Sequence, residues 1–325
     1  MIDLTTNYAG LTLKSPVIVS SSGLTNSIER IKRIEHAGAG AVVMKSLFEE
    51  QIMYEVSDLS AGSDYPEAED YIRKYARENS LDSYLSIIKG ARELVDIPVI
   101  ASINCMSSAE WIDFASRIED AGASALELNI YFLPMDKDKN PRDYEKNYLE
   151  LVSRVKKKTS LPLIIKLGSG FSNITWMVNQ LYVRGAAAAV LFNRFYAPDI
   201  NTTDLTFGSS EVLSSPADLR NSLRWIGIVS SQVEKIDLAA STGVHSGMAV
   251  IKQILAGATA VQVCSVLYRN GIDYIRDMIM EMKNWMEKKK YNRIEDFRGK
   301  MNYGSLDDPS VYERAQFIKY FSKIN

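Results

Sequence analysis

Short runs rich in Val, Ile, Leu and Ala alternate with stretches of helical spacing from residue 16 to residue 290. The runs are PVIVSS (16–21), AVVMKS (41–46), PVIASI (98–103), ALELNI (125–130), PLIIKL (162–167), AAVLFN (188–193), IDLAAS (236–241) and AVQVCS (260–265). Several are apolar at nearly every position, the pattern of parallel strands buried on both faces. Between them, positions such as Ile28, Ile31 and Ile34 recur at the spacing of one helix face. Eight such βα units predict an α/β protein with the (β/α)8 architecture of a TIM barrel, a single domain over residues 1–325.

An open doubly wound sheet gives a similar alternation, and two regularities favour the closed form. The second, fourth, sixth and eighth runs are each entered through a glycine followed by small residues, at Gly38, Gly122, Gly185 and Gly257. Glycine supplies the left-handed conformation that stops a helix. The first, third and fifth runs open with Pro16, Pro98 and Pro162, where a missing amide donor does little harm. A repeated quarter-barrel unit explains both. Residues 47–81 and 194–215 form long connections after the second and sixth runs, and 131–143 a shorter one; long βα loops build the active sites of barrels. From Tyr291 onward a tail is expected to pack a short helix on the barrel.

Charge narrows the partners. With 38 basic against 40 acidic residues, no positive field exists to hold nucleic acid or an anionic membrane surface. The beginning, MIDLTTNYAG, has neither a basic start nor an apolar stretch of signal-peptide length, and no apolar run approaches membrane-spanning length. Two distant cysteines, Cys105 and Cys264, make no disulfide framework or iron–sulfur site, and two unrelated histidines, His36 and His245, make no metal cluster. A cytoplasmic protein acting on a small molecule, without a metal, is the expectation.

On a barrel the carboxyl ends of the strands carry the chemistry. Polar residues gather there selectively: Lys45 and Ser46, Asn129, Lys166, and Asn193. A lysine closing a buried strand is costly unless it serves a site, although it can also snorkel to solvent. Such a rim suits a flavin, whose reduction places negative charge at its pyrimidine edge, where a fixed ammonium is stabilising and amides match the imide. Lys166 is the choice for that edge, and Lys45 for a substrate anion. After the seventh run comes Ser241-Thr242-Gly243-Val244-His245-Ser246-Gly247, and after the eighth Cys264-Ser265. Loops in these places commonly bind phosphate, though Ser246 also reads as an ordinary helix cap. His245 is a phosphate neighbour or a surface residue. The GxGxxG fingerprint is absent, which favours a mononucleotide over NAD.

In order along the chain, these residues resemble the dihydroorotate dehydrogenase family, most nearly its soluble class 1 branch, from about residue 3 to residue 300. The resemblance implies an FMN cofactor and a homodimer. PVIVSSSG is similar to the first FMN loop, implying that Ser21, Ser22 and Gly23 contact flavin. MKS resembles the motif whose lysine and serine, here Lys45 and Ser46, lie by flavin and substrate. Asn129 and Asn193 match substrate-binding asparagines, Asn129 being expected to contact the flavin as well, and Lys166 matches the flavin lysine. STGVHSGMAVIKQILAGATAVQVCS resembles the FMN-phosphate segment, implicating Thr242, Gly243, Val244, Cys264 and Ser265.

The departures fall on the substrate side. Where family members carry a proton-accepting cysteine or serine, this chain has Phe132, in Asn129-Ile130-Tyr131-Phe132-Leu133-Pro134. The family's substrate loop is missing from the connection after the second run, and Leu213-Ser214-Ser215 replaces its double glycine. Tyr131 and Cys105 are the candidates to take over proton transfer. Three functions stay open: an FMN oxidoreductase acting on dihydroorotate or a related dihydropyrimidine or unsaturated carbonyl compound; a flavin-binding relay or partner protein without dihydroorotate turnover; and a Schiff-base aldolase or lyase using Lys166 or Lys45. An electron-transfer partner protein is compatible with the first two.

Overall fold

A computed structural model of the chain describes residues 2–48, 66–104, 108–195, 198–209 and 211–313. All eight expected runs form strands: β3 (Val17–Val19), β4 (Ala41–Val43), β6 (Val99–Asn104), β7 (Ala125–Asn129), β8 (Leu163–Leu167), β9 (Ala186–Leu191), β12 (Asp237–Ala240) and β13 (Ala260–Val263). They pair in parallel in the order β4-β3-β13-β12-β9-β8-β7-β6. Pairing of β4 with β6, Val42 opposite Val99, joins the ends and closes a (β/α)8 barrel. A two-residue strand, β5 (Leu47–Phe48), extends the edge of β6 at Ile103 and Asn104.

The repeated small-residue units do what their composition predicts. Gly38, Gly122, Gly185 and Gly257 all have positive φ, between 87° and 114°. The three prolines stand immediately before β3, β6 and β8, and each accepts through its carbonyl from a neighbouring strand: Val261 N to Pro16 O, Val42 N to Pro98 O and Leu126 N to Pro162 O. Barrel closure thus uses the acceptor that proline keeps and not the donor it lacks.

Outside the ring lie α1 (Ile28–His36), α2 (Pro66–Leu94), α3 (Ser108–Asp120), α4 (Pro141–Lys156), α5 (Ile174–Val183), α6 (Leu219–Gln232), α7 (Gly247–Ala256), α8 (Ser265–Asn270) and α9 (Tyr274–Lys289). Helix α2 corrects the expected connection 47–81, because helix begins at Pro66. Proline suits a first helical turn, and the charged segment behind it holds no breaker until Gly90. The connection 194–215 carries an antiparallel hairpin, β10 (Pro198–Asn201) with β11 (Thr206–Ser209). Over its described part, to residue 313, the tail makes three 3₁₀ turns, Ile294–Asp296, Tyr303–Ser305 and Pro309–Tyr312. Ile294 and Phe297 anchor it, both fully buried.

The amino-terminal end of the barrel is plugged by a hairpin that the hydrophobic runs do not announce. Strands β1 (Thr6–Tyr8) and β2 (Leu11–Leu13) turn through Ala9 and Gly10, both at positive φ as a two-residue hairpin turn requires. Their Tyr8 and Leu13 are fully buried with the inward residues Ile18, Ile100, Ile164 and Val190. Because side chains alternate along a strand, the next inward positions can be read two residues on. After Ile18, Ile100 and Ile164 they are Ser20, Ser102 and Lys166, and after Ala125, Ala239 and Ala260 they are Glu127, Ser241 and Gln262. Val190 alone among these is followed by an apolar residue, Phe192. The barrel interior therefore changes from apolar at its base to polar toward its carboxyl end, and this change positions the site.

Candidate functional site

Lys166 is the centre of the polar layer. It is 5% exposed, and its Nζ lies 2.8 Å from Gln262 Oε1 and 3.0 Å from Ser20 Oγ. Glu127 is fully buried beside it, Oε1 3.7 Å from the ammonium, while Oε2 accepts from Gln262 Nε2 at 2.5 Å. A second set of hydroxyls adjoins it: Ser46 Oγ is 2.7 Å from Ser102 Oγ and 3.0 Å from Ser21 Oγ.

Above this layer opens a cavity of about 550 Å³, within the ordinary range for small-molecule sites. Ten residues expected from the sequence line it together: Ser21, Ser22, Gly23, Lys166, Asn193, Thr242, Gly243, Val244, Cys264 and Ser265. Asn129 is joined to them through its Oδ1, which accepts from Asn193 Nδ2 at 2.7 Å. Tyr131 sits on the rim, 38% exposed, stacked at 3.6 Å on Phe195, which lines the cavity.

The other residues singled out by the sequence lie elsewhere. Lys45 does not meet Lys166. It faces an adjoining cavity of about 330 Å³ with Asn79, Ser83 and Tyr84. Strand β4 ends at Val43, so alternation no longer directs Lys45 inward; its amide donates to Thr25 O. Ser46 lines that second cavity too and bonds Ser21 on the wall of the first. Phe132 packs outward, its ring edge-on to Tyr148 of α4 at 5.0 Å, with its amide donating to Tyr148 Oη. Burial pushes the Tyr148 phenol up to about 12. Cys105 lies outside the described residues.

The turn after β12 is tightly built. Thr242 and Gly243 have φ of 76° and 79°, and a Cβ on Gly243 would fall 2.1 Å from Leu219 N at the start of α6. Ser214, in the segment that departs from the family pattern, is part of this joint. Its Oγ accepts from Gly243 N and lies 3.1 Å from His245 Nε2, and its own amide donates to Ser265 Oγ at 2.9 Å. The His245 imidazole is held below its ordinary value, first by burial and then by the nearby Arg269 charge. Burial pushes the Cys264 thiol up, against a hydrogen bond from Ser22 and the Lys166 charge. The entry of α7 is satisfied by the chain itself: Ser246 Oγ accepts from Ala249 N, and Glu281 accepts from Gly247 N at 2.7 Å.

Glu127, Gln262, Ser20 and Ser214 escape a reading restricted to strand ends. The signal for the first two was present, since each interrupts an apolar run at the inward phase; Glu127 stands two residues before Asn129. Among the described residues no group of three or more His, Cys, Asp or Glu could hold a metal ion, and no helix is long and apolar enough to cross a membrane.

Fold and site together define a (β/α)8 barrel with a small-molecule cavity at its carboxyl end, floored by a buried ammonium and walled by hydroxyls and glycines. A family model described as dihydroorotate dehydrogenase matches residues 3–286, and the chain belongs to that family. Similar relatives include two proteins named dihydroorotate dehydrogenase B (NAD(+)), catalytic subunit. The one from Thermoplasma volcanium is 25% identical over 92% of this chain and 98% of its own. That from Methanocella arvoryzae is 29% identical over 88% of this chain and 94% of its own.

Proposed function

We propose that the chain is an FMN-dependent oxidoreductase that dehydrogenates a CH–CH bond of dihydroorotate or of a related dihydropyrimidine or unsaturated carbonyl compound. The observation that carries this reading is the buried Lys166 ammonium beneath a cavity lined by Ser22, Gly243 and Ser265. The donor set fits the cofactor: a cation and amides for the pyrimidine edge, hydroxyls for the ribityl chain, and a glycine turn for the phosphate. Ser246 and Glu281 already occupy the α7 terminus, so phosphate binding falls to the 242–244 turn and Ser265.

FMN, when bound, supplies a hydride acceptor at N5. The protein's part is to position and to stabilise. Lys166 holds positive charge where negative charge develops on reduction. The Asn129–Asn193 pair offers both an amide donor and an acceptor to a planar substrate. Tyr131, stacked on Phe195 at the rim, is our candidate to exchange a proton there, and Cys105 is its alternative. Lys45, in the adjoining cavity, is a second cation for an anionic substrate.

A second reading, a flavin-binding relay without dihydroorotate turnover, is supported by Phe132, which packs on Tyr148 and accepts no proton. A Schiff-base lyase has less support, because the Lys166 amine is engaged by Ser20, Gln262 and Glu127. A cytoplasmic homodimer with the whole chain as one FMN-binding unit belongs to the first reading, as does a partner subunit of the kind that the relatives' names imply for them.

Anaerobic reconstitution with FMN, followed by addition of dihydroorotate, tests the reading. Retained flavin absorbance that bleaches with dihydroorotate is expected. Retained flavin without bleaching favours the relay, and no retained flavin overturns both.

A further inference from the structure

Lys166 and Glu127 face each other inside the barrel with side chains 6% and 0% exposed. Enclosing two charges costs desolvation energy that their attraction seldom recovers in full, and well-packed apolar residues in such places are often as stable or more so. Fold stability therefore gives no reason for a carboxylate on β7. The hydrogen bonds also have a direction. Glu127 Oε2 only accepts, so Gln262 turns its Nε2 to it and leaves Oε1 toward Lys166 Nζ, at 2.8 Å. Ser20 Oγ, at 3.0 Å, is a further acceptor for the ammonium. Glu127 thus favours the charged lysine twice, by its own charge and by orienting Gln262.

We infer that Glu127 is a positioning residue that keeps Lys166 protonated and aimed at the cavity, so that the reduction potential of a flavin held there depends on this buried carboxylate. The inference rests on the flavin reading above. Two effects of removing the carboxylate oppose each other. Simple loss of a negative charge raises the potential, whereas loss of the lysine's proton lowers it. The second wins in a dry interior, because a buried lysine without a counter-charge gives up its proton readily.

The other titratable groups facing the pair cannot substitute. Burial raises the Cys264 thiol and the Tyr8 and Tyr84 phenols above their ordinary values, so all three stay neutral near pH 7.

The test is the midpoint potential of FMN-loaded Glu127→Gln and parent protein between about pH 6 and 9, with sulfite affinity as a second readout of positive charge near the flavin. The variant's potential is expected to lie below the parent's at high pH and to fall more steeply with pH. Its sulfite binding should weaken by about tenfold or more. Glu127→Gln combined with Gln262→Glu moves the carboxylate to the other side of the same lysine; it should restore both readouts, and it serves if the single variant does not fold. An FMN-loaded variant whose potential is unmoved or raised, with the parent's pH slope, overturns this inference alone. Misfolding of both variants overturns it as well, by showing a structural role. A parent that takes up no FMN overturns the flavin reading and this inference together.

Discussion

The wall of the mouth formed after β3, β12 and β13 is built of hydroxyls and closely packed glycine, whereas the wall formed after β7 and β9 is aromatic. On the first, Gly243 lies against the start of α6, and Ser214 ties the turn to His245 and Ser265. On the second, Tyr131 stacks on Phe195, and Phe132 is drawn out of the mouth by Tyr148. The first wall carries the residues that resemble a flavin-binding family, and the second carries Phe132 where the resemblance implies a proton acceptor. A barrel permits this because each loop is anchored by its own strand, so one side of the mouth can change while the other stays.

The largest test of this division is aimed at the floor both walls share. Lys166→Met strands the Glu127 charge in the interior, and breaking a buried pair from one side typically costs about 3–5 kcal/mol. Chemical denaturation should show a loss of that order, with most of it regained when Glu127→Met is added. An unchanged denaturation midpoint in the single variant would mean that the two groups are not coupled.

Gly243→Ala acts on the first wall alone. A methyl group there meets Leu219 N at 2.1 Å, and the positive φ of 79° adds strain of about 1–2 kcal/mol for a non-glycine residue. Where the turn relaxes out of its binding conformation to release that strain, FMN affinity should drop by about fivefold to thirtyfold, from RT ln K, with little change in secondary structure by circular dichroism. Parent-like affinity would detach the turn from the phosphate.

The smallest effect is expected at His245. Its imidazole is held below the ordinary value by burial and by Arg269. The unfolded chain therefore binds a proton first as pH falls. Stability attributable to the neutral ring is present above about pH 6.5 and is lost as pH drops through the lower folded value. Thermal midpoints should fall over that window in the parent and less so in His245→Asn; parallel curves would contradict the assignment.

The barrel was legible because its strands are short apolar runs and its helix ends carry glycine where a left-handed residue is required. The plug was not legible. Tyr8 lies in a three-residue strand whose neighbours are threonine and asparagine, and only closure of the ring creates the space it fills. Helix α2 was hidden because its first turns are rich in charged residues, a composition shared with loops. At the site, Lys166 and Asn129 followed from their places at the carboxyl ends of apolar runs. Lys45 was read the same way but faces the adjoining cavity, since its strand ends two residues earlier and phase stops predicting direction there. Glu127 obeyed the same period-two rule as Lys166 and could have been read from it.

The central claim is that this mouth holds a flavin mononucleotide over Lys166. An equilibrium titration of the purified, flavin-free protein with FMN, followed by flavin fluorescence and absorbance, tests it most directly. The account predicts saturation at one flavin per chain with quenched emission and a shifted absorption band that persists through gel filtration. Flavin that stays fully fluorescent and elutes apart from the protein would contradict it.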